Sequence, residues 1–233
     1  MIVHGGIGDD NKVISKLAFL DLSKNQWVSY KINGCNLPEL SNHSACLVMM
    51  ASKANDINIS IFKQSDSNNS INKEGVYIFG GIDKDNNFTN ELYRIKLHKP
   101  ILEVEKVKIN GIPPSERSNC SLNYYEHLNI IILHGGYNEN RNKFFNDTYI
   151  FDIVSSSWIK IKLVDEHQAK INERCSHSSV IIGDELIIFG GNNEIYLNTD
   201  MFIIKLDFEK YRIEDNSKPR PNPNYKPFPT LSE

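Results

Sequence analysis

Gly75-Val76-Tyr77-Ile78-Phe79-Gly80-Gly81 decides how this chain is read. An apolar run of β-branched and aromatic residues ends in two adjacent glycines, and a polar loop follows. That is a strand that stops where only glycine fits. The same device recurs as Ile2-Val3-His4-Gly5-Gly6, Ile131-Ile132-Leu133-His134-Gly135-Gly136 and Ile187-Ile188-Phe189-Gly190-Gly191. Four copies in 233 residues are a repeat, and a repeat of this period is one supersecondary unit used several times over.

Each glycine pair is followed by a second apolar run: Leu17–Leu22, Glu91–Leu97, Thr148–Ile153 and Met201–Leu206. Five residues beyond the end of each run stands a large apolar residue: Trp27, Leu102, Trp158 and Tyr211. Turn-forming pieces such as Ser23-Lys24-Asn25 and Ser155-Ser156-Ser157 lie between. A fixed offset across a short turn means a hairpin in one register. Upstream of three pairs is another extended segment, at His43–Val48, Cys120–Tyr124 and His177–Ile182. The unit is four short strands, a-b-c-d, with Gly-Gly closing b and the large residue opening d.

In this arrangement the chain resembles the kelch repeat, in which an R-x-x-H-S strand precedes an apolar run into Gly-Gly, a Tyr-x-Asp-like strand and a Trp. Arg174, His177, Ser178, Gly190-Gly191, Phe202 and Tyr211 fill the pattern in the last copy. Arg117, Ser121, Gly135-Gly136, Tyr149, Asp152 and Trp158 fill it in the copy before. The resemblance covers residues 1–213 and implies an all-β, kelch-type β-propeller of four-stranded antiparallel blades. The chain departs from the pattern in places. Leu40 stands where the arginine before His43 would be, Cys120 replaces a histidine, and Leu102 and Tyr211 replace tryptophan.

The first blade opens directly on strand b and lacks strand a. Three further blades follow, at about 43–109, 117–163 and 175–215. The six blades usual in the family are not all present, so the expectation is an incomplete ring, to be completed by upstream blades or by another chain. A closed four-bladed ring would need its missing strand from the Pro-rich tail at 214–233. Pro219, Pro221 and Pro223 oppose that, because proline cannot donate to a ladder. Successive copies of the first glycine are 75, 55 and 55 residues apart, and a polar insert at 51–73, read as a disordered loop, explains the long interval.

A net charge of −3 offers no basic stripe for nucleic acid. No apolar run approaches the roughly 20 residues that span a bilayer, and the first residues lack the basic and apolar regions of a signal peptide. The four cysteines, Cys35, Cys46, Cys120 and Cys175, form no C-x-x-C pair, so the expectation is free thiols in the cytoplasm and no metal.

In a propeller the b–c loops emerge together on one face, beside the d–a linkers, and a rigid scaffold that carries variable loops is built for binding. The candidate binding residues are therefore Asp83 and Asp85, Asn138, Asn140 and Arg141, and Asn192 and Asn193. Asp83–Asn87 resembles a calcium loop only faintly, lacking the glycine and distal glutamate. Arg117 and Arg174 stand just before strand a. Kelch adaptors of ubiquitin ligases present arginines there to acidic peptides, and the planar guanidinium suits carboxylates. The other use open to them is local pairing, with Glu116 or Glu173. His43 and His177 are expected to be buried against backbone groups, and the tyrosines and tryptophans of strands c and d to form blade-to-blade core.

No phosphate loop, G-x-S-x-G or H-E-x-x-H motif is present. The function expected is a non-catalytic protein-interaction module for an acidic or polar peptide, with no catalytic residue and no cofactor. The alternative is a small-molecule enzyme with its site at the channel mouth, or the kelch portion of a larger enzyme such as a kelch-phosphatase.

Overall fold

The computed structural model describes residues 1–49, 73–97, 101–162, 171–195 and 197–206. Most of the 51–73 insert, Tyr211, the outer strand of the fourth blade and the 214–233 tail lie outside them.

Four of the sheets among the described residues are blades, one per repeat, and two more are short two-stranded pairings in the loops. The first blade is Ile2–His4, Leu17–Asp21 and Gln26–Val28. The second is Ser44–Val48, Gly75–Phe79, Leu92–Lys96 and Ile101–Lys106. The third is Ser121–Tyr125, Ile130–His134, Thr148–Asp152 and Ser157–Ile161. The fourth is Ser178–Ile182, Glu185–Phe189 and Met201–Lys205. The fold is an all-β propeller of kelch type, open as far as it is described. Strands form here because the runs are β-branched and aromatic: burial alternates along Ile101–Lys106 and Glu185–Phe189, while Ile130–His134 is buried on both faces between blades.

The core lies between blades. Val48, Tyr77, Phe79 and Leu92 meet Leu122, Ile131, Leu133, Phe151 and Trp158 between the second and third. Ile130, Ile132, Ile150 and Ile161 meet Leu186, Ile188 and Ile204 between the third and fourth. Burying each such side chain contributes about 1.5–3 kcal/mol. Trp158 packs edge-on to Phe79, with ring centroids 5.3 Å apart. Trp27 differs from expectation: it is 61% exposed. It pairs with Leu20 on the face turned away from the second blade, and no described residues cover that face.

The glycine pair is a stitch between blades. The amides of Gly6, Gly81 and Gly136 donate to the carbonyls of Leu40, Arg117 and Arg174 in the following blade, at 2.8, 2.9 and 2.9 Å. A Cβ on Gly5, Gly80 or Gly135 would lie 2.2, 2.5 or 2.6 Å from those same carbonyl oxygens, which explains glycine at each. The second glycine faces its own strand a: a Cβ on Gly136 would come within 3.0 Å of Cys120 Cβ.

One element was not expected. Lys31–Gly34, in the linker after the first blade, pairs in parallel with Ile101–Val104 as a fifth strand of the second blade. The next linker begins the same pairing, with Asn110 bridged to Ser157 in parallel. Both segments read Lys-Ile-Asn-Gly, at 31–34 and 108–111. Each linker thus straps the outer strand of the blade that follows it.

Candidate functional site

Arg117 and Arg174 are wholly buried. Nη1 and Nη2 of Arg117 donate to the two carboxylate oxygens of Asp147, at 2.5 and 3.3 Å. Arg174 grips Asp200 in the same way, at 2.8 and 3.1 Å. Nη1 of each also donates to the carbonyl of its own blade's first glycine, Gly135 at 3.0 Å and Gly190 at 2.8 Å. The Arg117 guanidinium lies 3.8 Å from the Phe145 ring centroid. Hydrogen bonds from Arg174 hold the Asp200 carboxyl below its ordinary range. The expectation that these arginines offer their forks to an acidic peptide is therefore corrected: the forks are spent inside the blade. They do pair locally, but with Asp147 and Asp200 rather than Glu116 and Glu173. Each side chain fixes the end of its own b–c loop, while its carbonyl holds the preceding blade.

The signal for the missed partners was in the sequence. In the two blades that carry the arginine, an aspartate immediately precedes strand c. In the second blade, where Leu40 replaces arginine, the corresponding Glu91 is held by Tyr93 and Lys106 instead.

Above these buried pairs the loops and linkers meet in a rim. The residue before each buried position is a glutamate, and each reaches the b–c loop of its blade. Glu39 pairs with Lys84 at 3.7 Å, and Glu116 with Arg141 at 2.6 Å. The Asn193 amide donates to the Glu173 carbonyl at 3.4 Å. Leu40–Ser41 pairs with Ile82–Asp83 in a short two-stranded sheet, which ties linker to loop in the second blade.

The predicted rim residues divide into two groups. Some build the loops: Asp83 accepts from the amides of Asp85 and Asn87, both at 2.8 Å. Asn138 is buried, donates to the Glu116 carbonyl at 2.8 Å and accepts from the Arg141 amide at 3.2 Å. Asn192 accepts from the Cys175 thiol at 3.0 Å, and Asn193 from the Ile195 amide at 2.9 Å. Others face outward: Asp85, Asn140 and Arg141 are exposed. Carboxylates outnumber cations on this rim, where Glu39, Asp85, Glu116, Glu139, Glu173 and Glu194 stand against Lys84, Arg141 and Lys143. A cavity of about 600 Å³ opens between the first and second blades, lined by the strap residues Ile32–Gly34, by Cys35–Glu39 and by Asp83–Asp85. That volume falls within the range of about 300–1,000 Å³ found for ligand pockets.

The histidines meet one another across blades, and His43 and His4 also interact with the backbone at Leu40 and Pro38. His4 Nδ1 lies 3.4 Å from His43 Nε2, and the His134 and His177 rings stack edge-on at 5.4 Å. His177 Nε2 also bonds Ser121 Oγ at 2.9 Å, and His134 Nδ1 bonds Thr148 Oγ1 at 2.8 Å. Burial, then His43, pushes His4 down to about 4, and burial, then Arg174, pushes His177 down to about 4. Among the described residues no group of three or more His, Cys, Asp or Glu could hold a metal ion. No helix among them is long and apolar enough to cross a membrane.

The stitched blades and the Arg174–Ser178 R-x-x-H-S segment define a kelch-repeat protein. The Kelch-repeats domain of the KLHDC2/KLHL20/DRC7 type matches residues 64–228, so the chain belongs to that family. Domains of this family are generally protein–protein interaction modules. The chain is similar to Kelch domain-containing protein 3 of Homo sapiens, 30% identical over 125 residues, which cover 51% of this chain and 31% of that protein. It is similar to Kelch domain-containing protein 1 of Mus musculus, 26% identical over 158 residues, 55% of this chain and 38% of that protein. It is also similar to Host cell factor homolog hcf-1 of Caenorhabditis elegans, 31% identical over 127 residues, 49% of this chain and 16% of that protein. The matches thus span well under two thirds of each relative's own length.

Proposed function

We propose that this chain is a non-catalytic interaction module that holds a partner protein on the loop rim, by a polar segment rich in basic or amide side chains. The observation that carries this reading is the burial of Arg117 and Arg174, each 0% exposed and each paired with an aspartate. With those cations withdrawn, the outward groups of the rim are mostly carboxylates and amides. An acidic peptide would meet like charge there, and juxtaposed like charges disfavour a complex. The crevice beside Glu39 and Asp85 gives such a segment a concave seat. Other blades or another chain would complete the ring around the same rim.

The reading is tested with two peptide pools of matched length, one rich in Lys, Arg and Gln and one rich in Asp and Glu. Binding is measured to the unmodified chain and to Glu39→Lys/Asp85→Lys. The basic pool should bind the unmodified chain and lose affinity for the double variant. Preference for the acidic pool, unchanged in the variant, would contradict it.

A further inference from the structure

The crevice between the first and second blades has a lining of two kinds. One part is apolar: Leu17 of the first blade, Ile32 of the strap, and Leu37 and Pro38 of the linker. Leu37 is buried with Ile78, Tyr93, Ile95 and Val104, and Leu17 packs against the same cluster. Ile32 stands 43% exposed. The other part is charged: Glu39, Asp83 and Asp85 stand against Lys84.

The walls are fixed. The Cys35 amide donates to the Val104 carbonyl at 2.9 Å, which continues the strap into the linker. Asp83 is taken up by its own turn, where it accepts from the Asp85 and Asn87 amides. That leaves Glu39 and Asp85 for a ligand. Glu39 reaches Lys84 at 3.7 Å, with the Lys84 side chain 64% exposed. A solvated pair of that kind contributes little, so an incoming cation displaces Lys84 at small cost. A preformed crevice also spares the complex most of the ordering cost. A wholly polar basic segment would leave the apolar part in water, and a wholly apolar one would set bare hydrocarbon against Glu39 and Asp85. The volume of about 600 Å³ holds more than one side chain.

We propose, on the reading that the rim holds a basic segment, that this crevice is a two-part specificity pocket for an aliphatic side chain and an arginine spaced by one residue in the partner. Side chains two positions apart in an extended chain share one face, so both enter together. The aliphatic side chain rests on Leu17, Ile32 and Leu37. The arginine lies beside it and forks onto Glu39 or Asp85. Its planar guanidinium meets a carboxylate through two parallel hydrogen bonds, a geometry that lysine cannot copy. A few desolvated anchors carry most of the energy of an interface, and the polar contacts around them keep water out. The remaining basic and amide residues of the segment then lie along the rim.

The test uses short peptides with identical Lys- and Gln-rich flanks around Leu-Gln-Arg or Arg-Gln-Leu. Controls replace Leu by Ala, or Arg by Lys or Gln. Affinities are measured for the unmodified chain, for Ile32→Asn, and for the folded chain whose Cys35 has been capped with N-ethylmaleimide. Cys35 is exposed and lines the crevice, so the cap fills it without a substitution, and it carries the test if Ile32→Asn loosens the strap. The unmodified chain should lose roughly tenfold or more in affinity when Leu becomes Ala or Arg becomes Gln, and less when Arg becomes Lys. Ile32→Asn and the cap should each erase the preference for Leu over Ala, and bound peptide should slow maleimide labelling of Cys35. Equal affinity for the Leu and Ala peptides, with Cys35 labelled as fast in the complex as in the free chain, overturns the pocket and leaves the basic-segment reading standing. A preference for Leu that survives both Ile32→Asn and the cap also overturns it, by placing the anchor elsewhere. Failure of every basic peptide to bind overturns both.

Discussion

Gly135 and Arg174 touch across a blade boundary: a Cβ on the glycine would lie 2.6 Å from the arginine carbonyl oxygen. The neighbouring amide, Gly136, donates to that same oxygen at 2.9 Å. The backbone of one residue thus secures the preceding blade while its side chain secures its own.

Gly135→Ala should destabilise the chain by about 2 kcal/mol or more, because the methyl group meets backbone that cannot swing aside and the left-handed conformation adds strain. Gly6→Ala should cost less: its φ is +99° but nothing lies within 4 Å of the new Cβ. Urea midpoints of the two variants compare them directly.

The pair Arg117–Asp147 should behave as a coupled unit. Arg117→Leu strands Asp147 and should cost about 3–5 kcal/mol, while adding Asp147→Leu should recover part of that loss. The second blade already carries a leucine, Leu40, at the equivalent position, buried in an apolar cluster. Denaturation of the single and double variants measures the coupling. If the double variant is less stable than the sum of the two single changes, the pairing is not what holds the loop.

The blades were legible from Gly-Gly, the five-residue offset to Leu102 and Trp158, and the β-branched and aromatic runs. Those signals are local, because a strand and its turn are written in consecutive residues. The Arg117–Asp147 grip joins residues 30 apart, and only the folded blade shows that they meet. The arginine was visible as a repeated residue, but repetition marks structural and binding residues alike. Burial separates them, and burial is set by neighbouring blades. The Lys31–Gly34 strap was also written in the chain, as a repeated Lys-Ile-Asn-Gly, but its polar composition reads as a loop. Trp27 shows the reverse case: its sequence position matches Trp158, yet it is exposed for want of described residues on its far face.

Stability should fall as the pH drops from about 6.5 towards 4. Burial lowers His4, His134 and His177 below the ordinary value of 6.5, and lowers His43 as well. Their folded pKa values lie below the unfolded ones, so in that window the unfolded chain binds more protons and is favoured. For His177 alone the loss is on the order of 2–3 kcal/mol. Urea midpoints against pH should show the fall, and His177→Gln should make it shallower. A slope unchanged by that substitution would remove His177 as its source.

The thiols should react in the order of their exposure. Cys35 is exposed, whereas Cys120 is buried with its thiol pKa pushed up by desolvation. Brief treatment of the native chain with a maleimide should modify Cys35 and leave Cys120 intact. Modification of Cys120 at a comparable rate would show that the boundary between the second and third blades opens in solution.

The central claim is that the loop rim engages the partner while the buried arginines only hold it in shape. Amide hydrogen exchange, with and without a bound basic peptide, tests this most directly. Protection should appear at 37–41 and 82–87 beside the crevice, and at 137–142, with the inner strands unchanged. Protection confined to the outer strand Ser157–Ile161, or to no segment of the rim, would contradict it.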